Sequence, residues 1–139
     1  METIAMRIVT EGFLVHHSIS NVHSFLTIPS NLNLLLPQER ISEFTSDEVS
    51  CSFQILGGIK ITLILGEVTP HSIQYQSGEN GPMKFTLTIH MDSTPTTTTG
   101  NLQFEGDAPP VVAMVAKGPL TALFTEMASR LETAMDTQV

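Results

Sequence analysis

The sequence predicts an α+β fold: a curved antiparallel sheet of six to seven strands wrapped around a long C-terminal helix, with two short helices after the first strand. Three observations carry that prediction. Apolar residues alternate with polar ones in successive short runs between residues 49 and 105. From Leu120 to Met135 the period changes to three and four. Between residues 18 and 37 stand two short helical stretches, each with its own start and stop signal.

The first strand is expected over residues 4–15. Ile4, Met6 and Ile8 share one parity, and Phe13 and Val15 share the other. Gly12 lies at the change, as a β-bulge would require. Ser18 then offers an N-cap before Val22, Phe25 and Leu26, and Pro29 stops that helix. Ser30 can cap a second helix carrying Leu32, Leu35 and Leu36, which Pro37 ends. A weaker strand is expected near residues 40–45, where Ile41 and Phe44 do not share a parity.

The ladder follows. Val49, Cys51, Phe53 and Ile55 alternate with polar residues, and Gly57-Gly58 signals a turn. Ile59, Ile61, Leu63 and Leu65 come next, then a break at Pro70, then Ile73 and Tyr75. Gly78 to Pro82 is another turn, followed by Met83, Phe85, Leu87, Ile89 and Met91. The Thr-rich stretch at residues 93–100 reads as an exposed hairpin loop before Leu102 and Phe104. Period two means one face buried and one wet. In the last segment Leu120, Leu123, Phe124, Met127, Leu131 and Met135 mark an amphipathic helix, with Glu126 and Arg130 paired on its outer side. Gly118-Pro119 predicts a kink or break before it, because a residue preceding proline avoids the α region.

The 139 residues suit a single domain, and 41% hydrophobic content is that of a globular chain. One cysteine, Cys51, excludes an internal disulfide. No secretory leader and no run near ~18 apolar residues is read in the sequence, so the expectation is a cytoplasmic protein without stable membrane insertion. A net charge of −8 disfavours nucleic acid and anionic membranes as partners.

The inward ladder positions number seventeen. Six or seven strands at ~4.8 Å spacing make a sheet roughly 30 Å wide, while a helix is ~10–12 Å across. The sheet must therefore curl around the helix, and such wrapping leaves room inside.

The order of elements resembles the START-like helix-grip superfamily, which includes the birch-pollen-allergen type and polyketide-cyclase and lipid-transport types. The resemblance is best at FLVHHSISNVHSFL (residues 13–26), VTPHSIQY (68–75) and KGPLTALFTEMASRL (117–131), and it extends over residues 1–139 as one START-like ligand-binding domain. It implies a hydrophobic cavity between sheet and helix, lined by Phe53, Leu63, Tyr75, Phe85, Leu87 and Phe104 from strands and by Met114, Leu123 and Met127 from the helix. The implied partner is a small hydrophobic molecule, lipid-like or polyketide-like.

Catalytic chemistry finds little support. On the inward parity only Cys51 and Tyr75 carry reactive atoms, and no His, Asp or Glu joins them. Cys51 reads as a small buried hydrophobe. His16, His17, His23, His71 and His90 match no metal-ligand spacing, and Gly57-Gly58 leads into no phosphate loop. The reading therefore assigns no catalytic residue, metal or cofactor. Its first expectation is non-enzymatic binding or carriage of a hydrophobic molecule. The alternatives are a protein-interaction or co-chaperone-like module and a cyclase or dehydrase using Tyr75 as the acid.

Overall fold

The computed structural model describes residues 3–55, 58–78 and 83–137. Gly57 of the expected Gly57-Gly58 turn and residues 79–82 of the next turn lie outside them. Gly58 is described, with φ 80°, a conformation that costs glycine nothing.

The elements in order are β1 (Ile4–Val9), β2 (Phe13–Val15), α1 (Ile19–Leu26), a 3-10 segment (Pro29–Leu34), β3 (Ile41–Ser46), β4 (Ser50–Ile55), β5 (Ile59–Thr69), β6 (Ser72–Ser77), β7 (Lys84–Ser93), β8 (Thr98–Ala108) and α2 (Pro110–Asp136). All strands join one antiparallel sheet in the order β1-β8-β7-β6-β5-β4-β3, with β2 also on β8. Eight strands thus stand where six to seven were expected, because the first strand is two. Val9 pairs with Gln103 and Phe13 with Gly100, so one extra residue is looped out between them. Thr10 holds the join: its hydroxyl accepts from the Leu102 amide at 3.0 Å, and its own amide donates to the Leu102 carbonyl at 3.0 Å.

Ser18 caps α1 as expected, its hydroxyl accepting from the Asn21 amide at 3.2 Å, and Val22, Phe25 and Leu26 are buried. The second short helix is a 3-10 segment, without the Ser30 cap: Pro29 occupies its first position and Ile28 precedes it with no side-chain bond. Leu32, Leu35 and Leu36 still turn inward.

β3 explains its own confusing pattern. The register shifts between Ser42 and Thr45, and Glu43 stands at φ 55°. That bulge brings both Ile41 and Phe44 partly against the core despite their opposite parities. It also blunts the exposed edge of the sheet.

From Cys51 to Met91 the expected inward positions are buried, except that Ile59 and Leu65 are only half-buried, and β5 runs on past a second bulge between Leu65 and Val68. Val49 is a correction: it is 56% exposed. It precedes β4, in a turn where the Asp47 carboxylate accepts from the Val49 and Ser50 amides at 2.9 and 2.8 Å. The turn geometry overrides the alternation there.

α2 is not broken at Gly118-Pro119. Glycine lacks the Cβ that would crowd the following proline ring, so the α conformation survives. The Thr121 hydroxyl donates to the Lys117 carbonyl at 2.7 Å, an i to i−4 bond along the same turn. By length and mean hydropathy α2 is long and apolar enough to cross a membrane, a threshold the sequence reading did not see reached. Here it turns Ala113, Ala116, Leu120, Leu123, Phe124, Met127, Ala128, Leu131, Ala134 and Met135 into the core.

Candidate ligand-binding site

The space between sheet and helix is built from the inward ladder and the buried line of α2. Of the expected cavity residues, Phe53, Leu63, Tyr75, Phe85, Leu87, Phe104, Leu123 and Met127 are all buried there. Met114 is a correction: it is 80% exposed. The first turns of α2 are inward through Ala113 and Ala116 instead, small residues that suit close packing where the helix leaves β8.

The centre of that space is filled. Phe85 stacks on Phe104 at 4.9 Å and Phe124 meets Phe104 tilted at 5.4 Å, so one aromatic row links β7, β8 and α2. Phe44 and Phe53 stack at 6.4 Å toward the β3 edge. The Tyr75 hydroxyl donates to the Leu26 carbonyl at 2.6 Å and so ties β6 to the end of α1. Burial first, and the nearby Cys51 second, raise the Tyr75 phenol above its ordinary range. Burial also pushes the Cys51 thiol up to about 12, with the Asp47 charge a smaller cause. Both groups are neutral at physiological pH, which makes them poor nucleophiles and poor acids.

Side-chain ties hold α2 unevenly, running from its C-terminal half to the β2–α1 link and to the residues after the 3-10 segment. At the C-terminal half, His16 Nδ1 meets Glu132 at 2.8 Å and His17 Nε2 meets Asp136 at 2.7 Å. Arg130 bonds Glu126 through Nε at 2.9 Å and donates to the Leu36 carbonyl at 3.3 Å. His23 contacts the Thr69 carbonyl at 2.8 Å, fixing α1 to the β5–β6 turn. The Glu126–Arg130 pair is as the helical spacing predicts; sequence reasoning missed the other contacts, which join residues 46 to 119 positions apart. Among the described residues no cluster of three His, Cys, Asp or Glu could hold a metal.

The N-terminal half of α2 has no such side-chain tie to the rest of the fold among the described residues. There the seam opens as a cleft of about 210 Å³ lined by Arg40, Ile55, Gly118, Pro119, Ala122 and Leu123. Gly118 and Ala122 are the small residues of this lining, and Ile55 and Leu123 are its buried apolar ones. A larger concavity of about 690 Å³ lies across the outer side of β1, β8, β7 and β6, with Arg7, Lys84, Glu105 and Asp107 around it. Arg7 pairs with Glu105 at 3.3 Å, and the whole group reads as a solvated sheet face.

A scan against protein-family models finds no match, and no curated protein matches the chain. Solved structures do match in fold. Norcoclaurine synthase from Thalictrum flavum, in complex with dopamine and hydroxybenzaldehyde, gives a TM-score of 0.66 at 19% identity, covering 99% of this chain and 90% of that one. A conserved protein from Geobacillus kaustophilus gives 0.68 at 11% identity over 96% of this chain and 97% of that one. A protein from Thermus thermophilus gives 0.72 at 8% identity over 96% and 99%. The strand order, the paired short helices and the long terminal helix gripped by the sheet are accordingly those of the START-like helix-grip fold.

Proposed function

We propose that the chain binds a small apolar molecule at the seam between sheet and α2, without catalysing a reaction on it. One observation carries the reading: at the cleft beside Gly118 and Ala122, core residues Ile55 and Leu123 are reached from outside. A ligand site is a mostly apolar concavity with few polar groups, and among the described residues of this cleft Arg40 alone is charged. Its volume is below the ~300 Å³ at which ligand pockets usually begin. A guest therefore enters by displacing flexible side chains, and Met127, buried one helical turn from Leu123, is suited to that. A fold neighbour that holds dopamine and hydroxybenzaldehyde supports the reading that this scaffold admits small molecules. The Tyr75 hydroxyl, buried and committed to the Leu26 carbonyl, speaks for binding over catalysis.

The test is titration of the purified protein with Nile red, an uncharged apolar fluorophore, beside native mass spectrometry for a co-purifying mass. Saturable one-to-one binding is expected. Ala122→Phe, which fills the cleft from a half-buried helix position, is expected to weaken binding at least ten-fold while leaving the urea midpoint near wild type. Binding that never saturates, or that Ala122→Phe leaves unchanged, overturns the proposal.

A further inference from the structure

α2 carries an apolar line that no neighbour among the described residues covers. Val111 is 72% exposed, Met114 80% and Val115 54%. With Gly118 they follow the i, i+3, i+4, i+7 spacing that places residues on one helix face. The line continues one turn further to Ala122, into the cleft where Gly118 and Ala122 form one wall and Arg40 stands among the lining. From Val111 to Ala122 it runs ~16 Å at 1.5 Å per residue.

Arg40 is unusual among the described arginines. Arg7 is held by Glu105 and Arg130 by Glu126, whereas Arg40 has no carboxylate within ion-pair distance among the described residues. In a chain of net charge −8 that holds 14 carboxylates and six Lys and Arg, an unneutralised guanidinium beside apolar lining residues is complementary to an anionic group joined to an apolar body.

We infer that the ligand is a single-chain amphiphile with an anionic head, its head on Arg40 and its chain passing over Ile55 and Leu123 and out along Gly118, Val115, Met114 and Val111. This rests on the apolar-ligand reading above and adds head-group and chain-length selectivity to it. About 210 Å³ cannot enclose a long chain, so the excess lies on the exposed helix line.

The experiment compares dodecanoate, hexanoate and dodecanol as competitors of Nile red on wild type, Arg40→Gln and Met114→Glu, with urea midpoints recorded for each. Wild type is expected to favour dodecanoate over dodecanol at least ten-fold. Arg40→Gln should abolish that preference while leaving dodecanol within two-fold of its wild-type affinity. Met114→Glu should weaken dodecanoate more than hexanoate. Both sites are exposed, so neither change should move the midpoint. Retained Nile red binding without an acid-over-alcohol preference, or a preference indifferent to Arg40→Gln, overturns this inference and leaves the apolar-ligand reading standing. Failure of every apolar probe, Nile red included, overturns both.

Discussion

Replacing Tyr75 with Phe removes one oxygen from the most deeply buried polar contact in the grip. The hydroxyl donates to the Leu26 carbonyl at 2.6 Å, and both residues are almost wholly buried. Phe keeps the ring and its packing, so the cavity left behind is negligible. What remains is a buried carbonyl without its donor, which costs about 1–3 kcal/mol. Taking about 2 kcal/mol, a domain of this size should lose roughly 6–10 °C in Tm, between the sensitivities of smaller and larger domains. Urea denaturation should show a lower midpoint at unchanged slope, since the surface exposed on unfolding is the same. The pH dependence adds a second reading. The phenol ionises near pH 10 when unfolded but above its ordinary range when folded. Unfolding therefore releases a proton, and this group's contribution to stability, complete below pH ~10, declines as pH rises beyond it. Tyr75→Phe should flatten that decline. A stability change under about 0.5 kcal/mol would refute the tie between β6 and α1. Unchanged stability with reduced Nile red binding would make Tyr75 a ligand contact instead.

The other predictions test packing and chain geometry. Phe104→Ala removes the middle ring of the Phe85–Phe104–Phe124 row and should cost about 3–5 kcal/mol, measured by urea denaturation. Gly100→Ala would drive a methyl group against the His90 carbonyl oxygen and to 2.8 Å from the Phe13 ring. It should destabilise by about 1–3 kcal/mol or more, with hydrogen exchange rising first at β2. Cys51, with its thiol raised to about 12 by burial, should resist a thiol-specific disulfide reagent at pH 8 until urea unfolds the chain. Its sign matches that of the phenol: stability tied to the neutral thiol is complete below the ordinary thiol value of 9.0 and is lost as pH rises toward about 12.

The ladder was legible because strand alternation is dictated by a single buried face, and residues 51–55 and 83–91 keep that period without interruption. It failed where local geometry took over. Val49 has the right parity, but the Asp47 turn turns it to solvent. Ile41 and Phe44 have the wrong parity relative to each other, and a bulge reconciles them. Met114 was misplaced for a related reason: residues 111–116 are apolar all round, so spacing alone gives no phase, and the small size of Ala113 and Ala116 was the only hint of which side packs close. The helix at Gly118-Pro119 was expected to yield, yet the glycine before the proline is what lets it continue. The histidine pairs to Glu132 and Asp136 lay beyond reading, since nothing local to residues 16 and 17 announces partners on the last turns of α2. Arg40 and the cleft it borders went unnoticed for the same reason: they exist only once β4 and α2 are brought together.

The pairing of β1 and β2 with β8 has a consequence for how the molecule assembles. Ile4 lies beside Ala108 and Val15 beside Thr98, so the opening strands have no partner until the last strand exists. Closing a loop of that length before any reward in contact energy places this chain among slow, high-contact-order folders. During synthesis Met6, Ile8, Phe13 and Val15 must stay in water while some ninety residues are added. Until β8 emerges, those side chains offer a binding surface to chaperones that the finished protein hides.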